Sequence, residues 1–351
     1  MTVAHYVIAA LGLAVLMIVH ESGHYLAARR FGMRVTRFSI GFGPRIVKHQ
    51  PKGSPTVFQV ALVPFLAYVQ IAGMNPYEES DPKDPGSYQN ASLWARVATI
   101  GAGPLANYLF ASMLFFFGFI LGGRTVLDEK SMRVSIPSGE PGPAYVAGIR
   151  DGDKVLRVNG EPVADWPSLR KAVSAHPGEE IDVEIERAGE PAPLHIKVTP
   201  GAKGTKNEGK IVVIPEKRHE AIPLGEAAIL SVTEPPKVVA ALIVGLSRWI
   251  TGKEKLEGSG PVGIVKETAA AVKMGAGETL QLLGAISAYL GGFNLLPFPA
   301  LDGGRLLFLG FEAAARRKPD AKIEARVHAL GLLMLLTLIA IFTYTDIVPK
   351  H

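Results

Sequence analysis

The chain has no cysteine, which excludes disulfides and thiolate-held metals and leaves the redox compartment unreadable. Charge is scarce as well. Only 20% of the 351 residues are Asp, Glu, Lys or Arg, against 48% hydrophobic residues, and the mean hydropathy is +0.23. That balance excludes a disordered or fibrous chain and is too apolar for an ordinary soluble enzyme of this length. Four stretches lack charge altogether: residues 7–19, 97–123, 279–301 and 327–345. A hydrocarbon core about 30 Å thick needs about 20 apolar residues. Three of the stretches meet that outright, and the first does if it starts near Val3 and runs past His20. No internal repeat or low-complexity tract is visible.

The formal net charge of +5 raises nucleic acid as a partner, but the basic residues sit beside the apolar runs, so none is expected. Arg29, Arg30, Arg34, Arg37, Arg45, Lys48, Lys52 and Lys83 lie between the first two runs, and Arg305, Arg316, Arg317, Lys318 and Lys322 between the last two. By the positive-inside rule both connections are cytoplasmic, and the N-terminus, the long central segment and the C-terminus lie outside. The first run lacks a basic start and a small-residue cleavage site, so it reads as a retained span.

The expected fold is a polytopic α-helical membrane protein with about four transmembrane helices, a membrane-associated β-hairpin and an inserted soluble α+β domain. Residues 1–125 hold two spans and a strand-rich segment at 56–71, and 78–89 read as loop. Residues 126–216 change to a soluble β-rich composition, with alternation at 181–186 and 194–198 and a hairpin loop at 201–209. In 217–276 an amphipathic helix lies at the interface, because the apolar stretch 238–246, bounded by Pro235-Pro236-Lys237 and Arg248, is too short to span. Residues 277–351 hold the last two spans.

His20-Glu21-Ser22-Gly23-His24 is an H-E-x-x-H sequence. On a helix the i, i+4 spacing sets both imidazoles on one face, suited to two ligands of one zinc, with Glu21 placed to act as base on a metal-bound water. Two histidines and a glutamate at the end of an apolar span are costly in lipid, and such residues are functional by default. Such a site needs a third protein ligand and an open fourth position. Asp302 is the candidate. It follows Pro297 and Pro299, which break the third apolar run, and precedes Gly303-Gly304, which permits a tight turn. Asn107, in the charge-free second run, either polarises a substrate carbonyl or orients a ligand, and an interhelical hydrogen bond is an equal alternative. Gly101 and Gly103 read as helix-packing positions, and strand 56–71 either pairs with a substrate backbone or is a structural hairpin. The remaining histidines, His328 among them, read as surface or interfacial.

These motifs together resemble the site-2 protease family of intramembrane zinc metalloproteases, and within it the bacterial regulator-of-sigma-E branch. The resemblance rests on His20 to His24, Gly103-Pro104-Leu105-Ala106-Asn107, and Asn294-Leu295-Leu296-Pro297-Phe298-Pro299-Ala300-Leu301-Asp302-Gly303. Phe38-Ser39-Ile40-Gly41-Phe42-Gly43-Pro44 and Gly260-Pro261-Val262-Gly263-Ile264 extend it over essentially the whole chain. It implies Zn2+ held by His20, His24 and Asp302, Glu21 as base, and Asn294, Pro297 and Pro299 holding an unwound substrate. It further implies a multi-pass protein of a bacterial cytoplasmic membrane, cutting single-span proteins such as pre-cleaved anti-sigma factors or signal-peptide remnants near the cytoplasmic side. Two positions depart from the branch: Leu66-Ala67 stands where it usually has Gly-Gly, and Arg305 where His is common.

In the central segment, Gly142-Pro143-Ala144, Ala147-Gly148-Ile149, Gly152-Asp153, Val155-Leu156 and Val158-Asn159-Gly160 resemble a circularly permuted bacterial PDZ domain. The resemblance implies an extracytoplasmic domain that either binds a peptide at a sheet edge or bars bulky ectodomains. Two rival functions stay open: an anchored zinc protease acting on soluble chains, and a scaffold whose metal is structural.

Overall fold

The computed structural model describes residues 1–75, 81, 83–137, 142–202, 204, 208–252 and 259–348. The expected loops at 78–89 and 201–209 fall partly outside them. The chain divides into two compact units, Met1–Gly122 with Ile222–His351, and Gly123–Ala221.

In chain order, α1 (Val3–Arg30), β1 (Val35–His49), β2 (Val57–Ile71) and α2 (Leu93–Gly122) open the first unit. The second contains β3 (Arg124–Leu127), β4 (Val134–Ser135), α3 (Pro143–Ala147), β5 (Lys154–Val158), β6 (Glu161–Pro162), α4 (Trp166–Ser174), β7 (Ile181–Glu186), β8 (Leu194–Val198), β9 (Ile214–Pro215) and β10 (Lys217–Glu220). The first unit resumes with α5 (Leu224–Ile250), α6 (Pro261–Met274), α7 (Ala276–Asn294), α8 (Asp302–Ala315) and α9 (Ala321–Ile347).

Among the described helices, α1, α2, α5 and α9 are long and apolar enough to cross a membrane. Two details of the sequence reading change, one a length argument and the other a helix end. The nine apolar residues near 238–246 are the middle of a 27-residue helix that runs through Pro235 and Pro236, as prolines are tolerated in apolar helices. The length argument against α5 therefore fails. The third run, 279–301, is helical only to Asn294, and its helix α7 is not among the four.

The reason lies in what α7 touches. It lies antiparallel along α2, with Gly277 on Gly122, Gln281 on Gly118, Gly284 on Phe115 and Gly291 on the Pro104 carbonyl. Gln281 Nε2 donates to Gly118 O and Ser287 Oγ to Asn107 O. Small residues and interhelical hydrogen bonds are the usual means of close helix approach where water supplies no drive, and they lower the apolarity of the helix that carries them.

The two bent strands fold back on each other. Residues 37–40 lie between 57–60 on one side and 67–70 on the other, while 45–49 pair with 58–61. Segment 67–71 is thus left at the rim of the sheet. Tyr25 of α1 seats the hairpin through edge contacts with Phe38 and Phe58.

The second unit is built on a four-stranded sheet of order β6-β5-β7-β8. In β7, Ile181, Val183 and Ile185 face inward while Asp182 and Glu184 alternate away. They pack with Val155, Val198, Trp166, Leu169 and Val173 of α4 in one core, each contributing about 2 kcal/mol of apolar burial. Asp165 caps α4 by accepting from Ser168 N–H. The β3–β10 pair carries the unit a few residues beyond the expected 126–216.

Candidate metal centre

The helix α1 carries His20 and His24 one turn apart, both buried, toward α2. Two glycines make the approach possible. A Cβ on Gly23 would lie 2.2 Å from the Ala102 carbonyl oxygen, and one on Gly103 would lie 2.3 Å from His24 Nε2 and 2.9 Å from His20 Nε2. Gly101 faces open space, so its expected packing role is not seen. Two residues apart on a helix, the pair point to opposite sides.

Asp302 is the first residue of α8. The segment before it doubles back tightly: a Cβ on Gly303 would meet the Leu296 carbonyl oxygen at 2.2 Å, and one on Gly304 the Phe298 carbonyl oxygen at 2.4 Å. Ala300 is held at φ 77°, a conformation costly for a residue with a side chain. Its N–H donates to Nδ1 of His328 on α9 at 2.9 Å. His328 is therefore part of the loop's support, correcting its reading as a surface or interfacial residue. Nothing in a lone histidine on an apolar run signalled this. A bidentate pair, Arg96 Nη1 and Nη2 with Glu312 Oε2 and Oε1 at 2.8 and 2.5 Å, ties α8 to α2.

These constraints bring three sequence-predicted residues together. His20 Nε2 lies 3.1 Å from His24 Nε2, and Asp302 Oδ2 lies 3.1 Å from the first and 3.3 Å from the second. The protons are elsewhere. His24 Nδ1 donates to the Thr99 carbonyl at 2.8 Å, which leaves Nε2 a bare lone pair. His20 Nδ1 faces the Asn107 amide at 3.2 Å, and Asn107 Oδ1 is buried without a partner. A half-turn of that amide lets Oδ1 accept from His20 Nδ1–H, which satisfies both atoms and bares the second Nε2. Asp302 Oδ2 is also buried and accepts no hydrogen bond.

Three lone-pair atoms in mutual contact repel unless a cation sits among them. Tetrahedral ligands 2.0–2.1 Å from a zinc stand about 3.3–3.4 Å apart, close to the spacing seen. The donor set thus fits zinc.

Glu21 lies beside the cluster, close to the backbone of Val69 in the rim segment of β2. Asn107 is fully buried behind His20, so the structure places it on the ring and not at an open surface. Asn294 ends α7 and donates from Nδ2 to the Leu290 carbonyl. Pro297 and Pro299 wall a cavity of about 870 Å³ with Leu307, Phe308, Phe311 and Val327. Sequence reasoning missed the Thr99 carbonyl, because a backbone group carries no side-chain signal.

Comparison with known proteins agrees with the motifs. The profile described as Peptidase family M50 matches residues 8–338. The chain is similar to the zinc metalloprotease RasP of Geobacillus kaustophilus, 29% identical over 408 residues, and to the regulator of sigma-W protease RasP of Bacillus subtilis, 29% identical over 424 residues. Each match covers 95% of this chain and 95% of the relative. A match of that extent bears out the resemblance drawn from the motifs, and zinc with it: the chain belongs to Peptidase family M50, the site-2 proteases, and is a zinc metalloprotease.

Proposed function

We propose that the chain hydrolyses peptide bonds inside the transmembrane segments of single-span membrane proteins, with His20, His24 and Asp302 as metal ligands and Glu21 as base. The observation that carries the reading is the convergence of Nε2 of His20, Nε2 of His24 and Oδ2 of Asp302 at a helix apolar enough to span. Ionisable groups at such a place are too costly to keep without a task.

Zinc held by these three side chains supplies Lewis acidity toward a water and a peptide carbonyl. Glu21 takes the proton of the attacking water and delivers it to the leaving amine. Asn107 acts through the His20 ring, fixing which nitrogen carries the proton. A substrate helix hides its carbonyls in its own hydrogen bonds, so it must unwind first. The rim segment 67–71, beside Glu21, is suited to pair with the extended chain. Asn294 Oδ1 is then a receiver for a substrate N–H, and the cavity walled by Pro297 and Pro299 accommodates apolar side chains.

The basic residues flanking the apolar helices support a cytoplasmic-side active site in a bacterial inner membrane. The second unit, inserted between α2 and α5, is in this reading an extracytoplasmic PDZ-type domain that refuses intact ectodomains. A peptide bound at its sheet edge is the other outcome. The Bacillus subtilis relative is named for sigma-W regulation, which supports shortened anti-sigma factors as one substrate class, with remnant signal peptides as the second.

The test compares wild type with Glu21→Gln in detergent on a single-span substrate, assaying bound zinc in both. Cleavage within the span by wild type, with the variant retaining zinc and losing about 10²–10⁴-fold in rate, is expected. A zinc-loaded wild type that cleaves no truncated single-span substrate overturns the reading.

A further inference from the structure

A second cavity, about 370 Å³, lies against the rim segment and is lined by Arg37, Tyr68, Val69, Gln70, Asn75 and Arg305 among others. Its place is set by two residues already described. The Val69 backbone lies close to Glu21, and Arg305 is one turn beyond Asp302 on α8. The cavity therefore adjoins the metal centre along the strand edge.

Its chemistry is that of an anion receiver. Arg37 stands opposite Gln70 in the strand register, and Tyr68 and Gln70, two residues apart, share a sheet face. Arg37 Nη1 donates to the Tyr68 hydroxyl at 3.3 Å. Arg37 and Arg305 form no ion pair within 4.0 Å among the described residues; the Glu324 carboxylate of α9 faces Arg305 from farther off. Two cations that close one cavity repel each other, and an anion between them relieves the cost. Guanidinium forks match a carboxylate in a bidentate manner.

We infer that this cavity receives a carboxylate of the substrate chain next to the scissile bond, making Arg37 and Arg305 specificity residues for acidic sequence at that position. The inference rests on the proposed intramembrane cleavage. The carboxylate has two possible sources, an acidic side chain near the cut or the C-terminus that the cut creates, and the experiment separates them.

In the first arm, single-span substrates carry Glu, Gln or Lys at successive positions beside the cut. The full-length protein in vesicles of fixed lipid composition is assayed for kcat/KM as wild type, Arg37→Gln, Arg305→Gln and Arg305→Glu. Expected is a position where Glu exceeds Gln by about ten- to a hundredfold. Arg37→Gln and Arg305→Gln lose that preference, and Arg305→Glu recovers on the Lys substrate. The recovery shows that the variant is folded. In the second arm, the N-terminal product peptide is added as free acid or as amide. Stronger inhibition by the acid, lost in Arg305→Gln, assigns the cavity to the new C-terminus instead of a side chain.

Equal losses on Glu, Gln and Lys substrates, with acid and amide inhibiting alike, overturn the inference while leaving intramembrane cleavage standing. A rate that follows the anionic-lipid content of the vesicle and not the substrate charge overturns it too. A wild type that cleaves none of the substrates removes the underlying reading and this inference with it.

Discussion

Gly103→Ala tests whether the metal centre depends on the absence of a single methyl group. The added Cβ would lie 2.3 Å from His24 Nε2, 2.5 Å from its Cε1 and 2.9 Å from His20 Nε2. Ordinary carbon contacts begin near 3.5 Å, so something must move by about 1 Å. The α2 backbone has little room to retreat, because α7 is packed closely along it, with Gly291 on the Pro104 carbonyl and Gly277 on Gly122. The His24 ring cannot swing freely either, since its Nδ1 is held by the Thr99 carbonyl at 2.8 Å. Overpacking of this kind costs about 1–3 kcal/mol, and a ligand displaced by 1 Å falls well outside the roughly 0.2 Å tolerance of a metal site. Zinc per chain after a chelator challenge, with cleavage of a single-span substrate, is the assay. Expected are substoichiometric zinc and a rate lower by about a hundredfold. Gly101→Ala is the matched control: its Cβ meets nothing within 4 Å, and alanine favours helix by about 1 kcal/mol over glycine, so zinc and rate stay at wild type. A Gly103→Ala protein that holds zinc and cleaves like the Gly101→Ala control would refute the reasoning.

Three further outcomes follow from the same geometry. Asn107→Ala removes the partner of His20 Nδ1 and should weaken zinc binding by about 10- to 100-fold in a competition titration, and an unchanged affinity would place Asn107 outside the centre. Glu312→Ala leaves the Arg96 guanidinium buried and unpaired, costing about 3 kcal/mol. Thermal unfolding in detergent should drop accordingly, and the double variant with Arg96→Met should recover most of it. In the second unit, the Asp182 carboxylate 2.8 Å from His195 Nδ1 holds the imidazole pKa above its ordinary 6.5. A raised histidine pKa stabilises the fold fully below about 6.5, and the contribution fades as pH rises through the folded value. Histidine-selective NMR of the full chain should show the elevated midpoint and its loss in Asp182→Asn; a midpoint at or below 6.5 in wild type would sink the claim.

Much of the centre was legible because its cues are local. The i, i+4 histidines need only a helix to face one way, and the charge-free run supplies it. Asp302 was legible since Pro297 and Pro299 must end a helix and Gly303-Gly304 must turn. What stayed hidden depends on partners far along the chain. Whether 279–301 is apolar enough to span could be read as a run, but its glycines serve contact with α2 and its helix stops at Asn294. Pro235-Pro236 resembled a boundary because local propensity says so, yet α5 continues through them. Gly101 and Gly103 look alike in sequence, and only the position of α1 distinguishes them. The fold-back of residues 37–40 between two parts of β2 has no counterpart in alternation alone.

The placement of glycine explains how an apolar molecule keeps a metal site accurate. A soluble enzyme can surround its ligands with polar groups, whereas here each such group is costly in lipid. Backbone contact does the work instead. Gly23 brings α1 onto α2, Gly103 leaves room for two imidazoles, and Gly303 and Gly304 fold the loop onto the start of α8. The polar support is brief: a carbonyl for His24, an amide for His20 and one bidentate pair fastening α8. Rigid helices therefore hold the ligands, as accurate sites require. By contrast, segment 67–71 lies at the rim of its sheet, and the loop before α8 keeps Ala300 at positive φ with its N–H on His328. Because α9 holds that loop from outside the ligand set, a shift of α9 would alter the cavity wall at Pro299 before it disturbed His20 or His24.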